Sequence, residues 1–305
     1  MKILIVGGTG MIGGHAALRL QRKGHRVVIG GRRPASGGTP LADLDFLQLD
    51  YIAGDTPTSA LSSFDAVVFA AGQDVRTMPP DADYESYMWR ANAEAVPAFF
   101  AKLRDAGVAT AINIGTFYPQ AAPAVAANEP YMRARKAADE GVCALATESF
   151  RAFSINPPWV PGVVEGLPSV LWDPYLRYAA GRTDLPEFAP PGGVAFISCA
   201  SLSDAIEGGL ARGEHGVSYL VNDENLSFEA FLGAFFTAFG RTPPKVEEGR
   251  EHPVIVDLAI SWGRGKSLYY DANPREAALL GYRRHDIVRT ITEEMVPEYR
   301  RREGF

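Results

Sequence analysis

Glycines at the three spaced positions 7, 10 and 13 of Gly7-Gly8-Thr9-Gly10-Met11-Ile12-Gly13 follow the apolar run Ile3-Leu4-Ile5-Val6, and Ile12, Ala16, Ala17 and Leu20 come at helical spacing. Glycine in the first place permits a tight turn, and in the second it lets the backbone approach a pyrophosphate. In the third it lets the helix pack close to the strand. The helix N-terminus then faces the phosphates with unpaired N–H groups. Gly7, Thr9, Gly10, Met11, Ile12 and Gly13 are therefore candidate dinucleotide contacts. The next apolar run ends Val28-Ile29-Gly30-Gly31-Arg32-Arg33, where a carboxylate would grip the ribose 2′-hydroxyl of NAD. Here Gly31, Arg32 and Arg33 offer two guanidinium groups instead, and guanidinium binds phosphate bidentately. The expected cofactor is NADP, with NAD less favoured; arginines that merely point into solvent are the alternative.

These residues need a scaffold, and the chain reads as one. Apolar runs at Val27 to Ile29, Phe46 to Leu49, Ala66 to Ala70, Thr110 to Ile114 and Ala152 to Ile155 alternate with helix-periodic stretches such as Tyr84 to Ala106 and Arg133 to Thr147. That order predicts an α/β fold: a doubly wound parallel sheet (Rossmann fold) with right-handed crossovers. After Pro157-Pro158 the texture turns to proline, glycine and aromatics, including Trp159, Trp172, Tyr175 and Phe188. A smaller mixed C-terminal substrate lobe is expected there, its aromatics either walling a pocket or filling a core. The predicted division gives residues 1–156 plus about 194–222 to the dinucleotide-binding domain, and 157–193 plus about 223–305 to the lobe.

Composition narrows the function classes. The chain of 305 residues is 47% hydrophobic with net charge −6, which speaks against a nucleic-acid partner. Cys143 and Cys199 lie far apart and the five histidines are scattered, so no metal site or disulfide framework is expected. The apolar start is too short for a signal peptide or a membrane span, which predicts a cytoplasmic protein without membrane contact. The expected partner is a small-molecule substrate, and a homodimer is compatible with the sequence.

The spacing Gly7-x-x-Gly10-x-x-Gly13 resembles that of the short-chain dehydrogenase/reductase superfamily, in its extended NAD-dependent epimerase/dehydratase-like branch. Further segments are similar in order and spacing: Leu49-Asp50 with Tyr51, where the family contacts adenine; Phe64 to Gly72, whose Ala70-Ala71-Gly72 would line the cofactor; Asn92, at the family's helix asparagine; and Asn156-Pro157-Pro158-Trp159-Val160-Pro161-Gly162. The resemblance implies a tyrosine and a lysine four residues apart on one helix, with a serine or threonine hydroxyl at a strand end. In such a site the tyrosine moves a proton and the lysine lowers its pKa. The hydroxyl orients a carbonyl or alcohol that exchanges hydride with nicotinamide.

The chain departs from this pattern. Pro130-Tyr131-Met132-Arg133-Ala134-Arg135-Lys136 places five steps between tyrosine and lysine. Five steps turn a regular helix by about 140° from its starting face, four by only about 40°. Three readings follow. Arg135 stands in for lysine beside Tyr131; or a π-bulge restores Tyr131 to Lys136, which would then also hold the cofactor; or Met132 takes the tyrosine slot opposite Lys136. Thr116 is the candidate orienting hydroxyl, and Tyr118 is a substitute acid or a packing residue. The acidic loop Asp74, Asp81, Asp83 overhangs the site or is simply solvated. The leading expectation is an NADP-preferring oxidoreductase acting on a carbonyl or alcohol. A nucleotide-sugar epimerase or dehydratase with tightly held NAD, and an inactive NADP-binding sensor, remain alternatives.

Overall fold

The computed structural model describes all residues 1–305. Its strands are β1 (Lys2–Val6), β2 (Arg26–Gly31), β3 (Asp45–Gln48), β4 (Ala66–Phe69), β5 (Thr110–Ile114), β6 (Arg151–Asn156), β7 (Gly193–Phe196), β8 (Ser218–Leu220), β9 (Glu224–Ser227) and β10 (Ser267–Leu268). Seven of them form one parallel sheet in the order β3-β2-β1-β4-β5-β6-β8. Residues such as Ile3 to Val6 and Ala66 to Phe69 are buried on both faces, because helices cover both sides. Strand order reverses between β1 and β4, and a crevice opens there at the carboxyl ends of the strands.

Eight helices matter for the site: α1 (Met11–Arg22), α2 (Tyr84–Met88), α3 (Ala95–Asp105), α4 (Pro130–Ala144), α5 (Asp173–Ala179), α6 (Cys199–Arg212), α7 (Phe228–Ala238) and α8 (Val296–Glu303). One face of the sheet packs Ala16, Ala17 and Leu20 of α1 with Leu202, Ala205 and Ile206 of α6. The other packs Phe99, Phe100 and Leu103 of α3 with Ala138 and Val142 of α4. A third core, in the C-terminal lobe, stacks Phe231 on Phe196 (4.3 Å) and sets Trp172 and Tyr175 edge-on to Phe231.

The lobe's sheet has the order β10-β7-β9, with β7 parallel to β10 and antiparallel to β9. The expected boundary at residue 194 needs correction here, since Gly193–Phe196 belongs to this smaller sheet while α6 and β8 belong to the larger one. Val194, Ala195 and Phe196 are buried on both faces, so their apolar pattern suits either sheet. The deciding contact is Gly193, where a Cβ would lie 2.2 Å from Tyr269 Oη and 2.4 Å from Leu226 O. Only glycine leaves room there for the β9 backbone and the Tyr269 hydroxyl. No helix is long and apolar enough to cross a membrane.

Candidate active site

Gly7 has φ +81°, and a Cβ there would lie 2.8 Å from the Ala70 carbonyl. A Cβ on Gly13 would lie 2.4 Å from Gly7 O, so both glycines are required by close packing of turn, helix and β4. Gly10 differs: its nearest obstacle is Gly7 O at 3.5 Å, and its Cα side faces open space. It caps α1 without a side-chain bond, and the first turn of α1 carries no acidic residue. The result is a bare, electropositive helix end beneath an unobstructed surface, which fits a pyrophosphate.

Two cavities meet at this turn. The smaller, of about 220 Å³, is lined by Gly7, Thr9 and Gly10 with Gly31, Arg32, Asp50, Tyr51, Ala70 and Ala71. The larger, of about 650 Å³, runs from Gly7, Gly10, Met11, Ile12 and Gly13 past Ala70, Gly72 and Pro157 to Thr116, Tyr131 and Arg135. The two share Gly7, Thr9, Gly10 and Ala70, so they adjoin on the glycine turn. Arg33 is exposed and lines neither cavity. Asp50 turns one oxygen back on its own loop, accepting from Ile52 N at 2.9 Å and Ala53 N at 3.3 Å. Tyr51 donates to Ala71 O at 3.2 Å and lies edge-on to Phe69, which fixes the loop after β4.

Helix α4 begins at Pro130, with Glu129 accepting from Met132 N at 2.8 Å as its cap. It is a regular α-helix throughout, so residues four apart share a face. Ala134, Ala138 and Val142 make the buried stripe; Tyr131 and Arg135 stand together on the cleft side. Lys136, a candidate for both catalysis and cofactor binding, is exposed, pairs with Glu140, and lines neither cavity. Met132 is buried and does not line the cleft either. π-helical turns lie elsewhere, one at Thr290–Met295, the other at Trp89–Glu94 between α2 and α3 in the helix packed against α4.

That turn carries Asn92, which lies beneath the cavity floor. Its amide oxygen accepts from Gln73 N (3.1 Å) and from Arg135 Nη1 (3.3 Å), and its amide nitrogen donates to Gln73 O (3.2 Å) and Met88 O (3.1 Å). Arg135 also donates from Nη2 to Ile114 O at 2.6 Å. Its guanidinium occupies the space over Gly72, where a Cβ would fall 1.6 Å from Nη1. Asn92 itself lines neither cavity; it touches Arg135 and the Gln73 loop.

Thr116 is held by its neighbours' backbone: Gly115 N donates to Ile155 O (2.9 Å) and Phe117 N to Pro157 O (3.2 Å), tying the end of β5 to the end of β6. Its side chain faces the same cavity as Tyr131. Tyr131 is half-buried among Arg135, Asp74, Arg76 and Glu129. Burial pushes its phenol above the ordinary tyrosine value, and the Arg135 charge pulls the other way. Tyr118 packs on Phe117 (ring centroids 4.1 Å), and its oxygen accepts from Trp159 Nε1 at 3.4 Å.

Sequence reasoning missed several lining residues. Arg76 is one; it lines the cleft beside Asp74 of the acidic loop, whose Asp81 and Asp83 do not, and the two form a bidentate pair, with Arg76 Nε 3.1 Å from both Asp74 oxygens. The only sequence signal was the acidic loop itself. Leu167 to Leu171 and Ala259 reach the cleft from the lobe, with no local motif to announce them.

Among curated proteins, none matches the chain. Solved structures of low identity share its fold over nearly the whole length. The crystal structure of gox2253 gives a TM-score of 0.75 at 20% identity, covering 99% of this chain and 98% of that one. UDP-glucose-4-epimerase from Stenotrophomonas maltophila, solved with bound NAD and formylated UDP-arabinopyranose, gives 0.73 at 18%, covering 100% and 99%. The Bordetella bronchiseptica enzyme WbmG in complex with NAD gives 0.73 at 18%, covering 100% and 95%. The sequence profile of the NAD dependent epimerase/dehydratase family matches residues 3–173, more than half of the 305. The chain therefore belongs to the NAD dependent epimerase/dehydratase family, enzymes of the extended short-chain dehydrogenase/reductase type.

Proposed function

We propose that the protein is an NAD(P)-dependent oxidoreductase that interconverts a carbonyl compound and its alcohol. The observation that carries this reading is the convergence of the glycine turn, Thr116, Tyr131 and Arg135 on one cavity. The dinucleotide, when bound, supplies the hydride that the carbonyl carbon takes up, and leaves oxidised. Gly7, Thr9, Gly10 and the start of α1 would hold its phosphates, and Gly31, Arg32, Asp50 and Tyr51 its adenosine. Thr116 orients the substrate oxygen by hydrogen bond. Tyr131 gives that oxygen a proton, so one carbonyl, one reduced dinucleotide and one proton become one alcohol and one oxidised dinucleotide. Arg135 stabilises the phenolate left behind as a fixed charge; guanidinium does not deprotonate and so relays nothing.

We further propose a preference for NADP. Its support is Arg32 on the wall of the smaller cavity and the lack of any carboxylate at the end of β2. Tight retention of NAD, as a nucleotide-sugar epimerase needs, is the competing assignment. It gains from the family's description and loses from the arginine.

The test is loss of 340 nm absorbance when NADPH and a panel of ketones and aldehydes are mixed with the protein. Consumption by the wild type and none by Tyr131→Phe supports the reading. Equal consumption by both, or turnover only with a nucleotide sugar and self-retained NAD, overturns it.

A further inference from the structure

Beyond Tyr131 the larger cavity is walled by the C-terminal lobe, and its charge content is low. The ionised side chains lining it are Asp74, Arg76 and Arg135. Asp74 and Arg76 neutralise each other, with a closest approach of 2.5 Å. Arg135 lies over Gly72 at the cofactor end, committed to Ile114 O and Asn92. From the lobe itself no cation reaches the cavity. Arg241 pairs with Glu187, Arg264 with Asp257, and Arg302 with Asp173, all within the lobe. A nucleoside diphosphate carries about two charges that need charge-assisted donors. This wall has none to give.

What the wall offers is apolar surface. Trp159 lies beside Phe228 (5.8 Å) and Trp262 (6.3 Å), and Tyr118 continues the aromatic face. Val170 and Leu171 line the cavity mouth although 80% and 40% exposed, and Leu258, 80% exposed, stands next to the lining residue Ala259. Exposed aliphatic side chains gathered at a cleft mouth gain free energy when a ligand covers them.

We propose that the substrate is an apolar ketone or aldehyde with an alkyl chain or aromatic ring, and its alcohol, rather than a nucleotide sugar. The proposal rests on the reading of this cleft as a hydride-exchange site. The substrate's carbonyl reaches Thr116 and Tyr131 while its apolar tail lies along Trp159, Val170 and Leu171. The Asp74–Arg76 pair lines the same cavity from the loop after β4.

The test uses full-length protein loaded with NADP⁺, titrated calorimetrically with 2-alkanones of four to eight carbons and, separately, with UDP-glucose. Affinity should rise about three- to fourfold for each added methylene, while UDP-glucose at millimolar concentration gives no heat. A V170D/L171D variant should weaken the eight-carbon ketone at least about tenfold and leave NADP⁺ affinity unchanged. UDP-glucose binding more tightly than the longest ketone, or affinity independent of chain length, would overturn the substrate class while the bound NADP⁺ leaves the underlying reading standing. If neither NADP⁺ nor NAD⁺ binds, the underlying reading falls and the substrate class with it.

Discussion

Gly72→Ala probes the site's least ordinary feature, a lining arginine locked where the family's lysine is expected. Gly72 does not have a positive φ, so alanine is compatible with its backbone, and any cost comes from the new methyl group. That methyl would sit 1.6 Å from Arg135 Nη1 and 2.6 Å from Cζ, well inside contact distance. The guanidinium must leave, giving up its 2.6 Å bond to Ile114 O and its 3.3 Å bond to Asn92 Oδ1. The short charge-assisted bond is worth about 1.5–3 kcal/mol and the long one about 1, so the loss should be about 2.5–4 kcal/mol. In an Arg135→Met background there is no guanidinium to displace, and the same substitution should cost under about 1 kcal/mol. Urea unfolding followed by tryptophan fluorescence on the four proteins of this cycle should return a coupling of about 3 kcal/mol. A Gly72→Ala loss below about 1 kcal/mol, or equal losses in both backgrounds, would refute the placement of Arg135.

Three further outcomes are expected. Arg32→Ala should lower NADPH affinity about 10- to 100-fold, the worth of a charge-assisted contact, and leave NADH nearly unchanged; fluorescence titration with both dinucleotides checks this, and equal losses would contradict it. Because burial raises the Tyr131 phenol, it stays protonated through the neutral range. Carbonyl reduction, which needs the acid, should then be flat from pH 6 to 9, while alcohol oxidation, which needs the phenolate, should climb toward about tenfold per pH unit. Reduction that falls about tenfold per pH unit within the range 6 to 9, with oxidation flat there, would sink the assignment. His15, set against Ser203 at the α1–α6 contact, is pushed down to about 4 by burial and by neighbouring arginines. The folded protein resists its protonation, so the stability from burying it neutral is present above pH 6.5 and is lost as pH falls toward 4, by up to about 3 kcal/mol. A His15→Gln variant should lose about 2 kcal/mol less between pH 7 and pH 5, and identical slopes in urea titrations would count against it.

The large sheet was legible because its rules are local. Apolar runs buried on both faces, a glycine turn after β1 and right-handed crossovers leave little freedom in strand order. The Tyr131–Lys136 spacing showed that something was altered, yet sequence left three outcomes open. The uninterrupted helix over Pro130–Ala144 puts Arg135 beside Tyr131 and Lys136 in solvent. A π-helical turn formed one helix away, where Asn92 meets Gln73 and Arg135, and no residue type marks such a turn in advance. Long-range placement was the other blind spot. Leu167 to Leu171 and Ala259 join the cleft only because the lobe folds back over it, and β7 reads equally well as a strand of either sheet until Gly193 meets Tyr269 and Leu226.

In the proposed reaction Tyr131 supplies the proton in a dinucleotide-dependent exchange within this cleft. Single-turnover reduction of an apolar ketone by NADPH, in wild type and in Tyr131→Phe, tests it most directly when paired with the NADPH dissociation constant of each protein. The variant's rate should be about 10²- to 10⁴-fold lower, with the dissociation constant unchanged. An unaltered rate, or a rate that falls only as far as NADPH binding falls, would contradict that role of Tyr131.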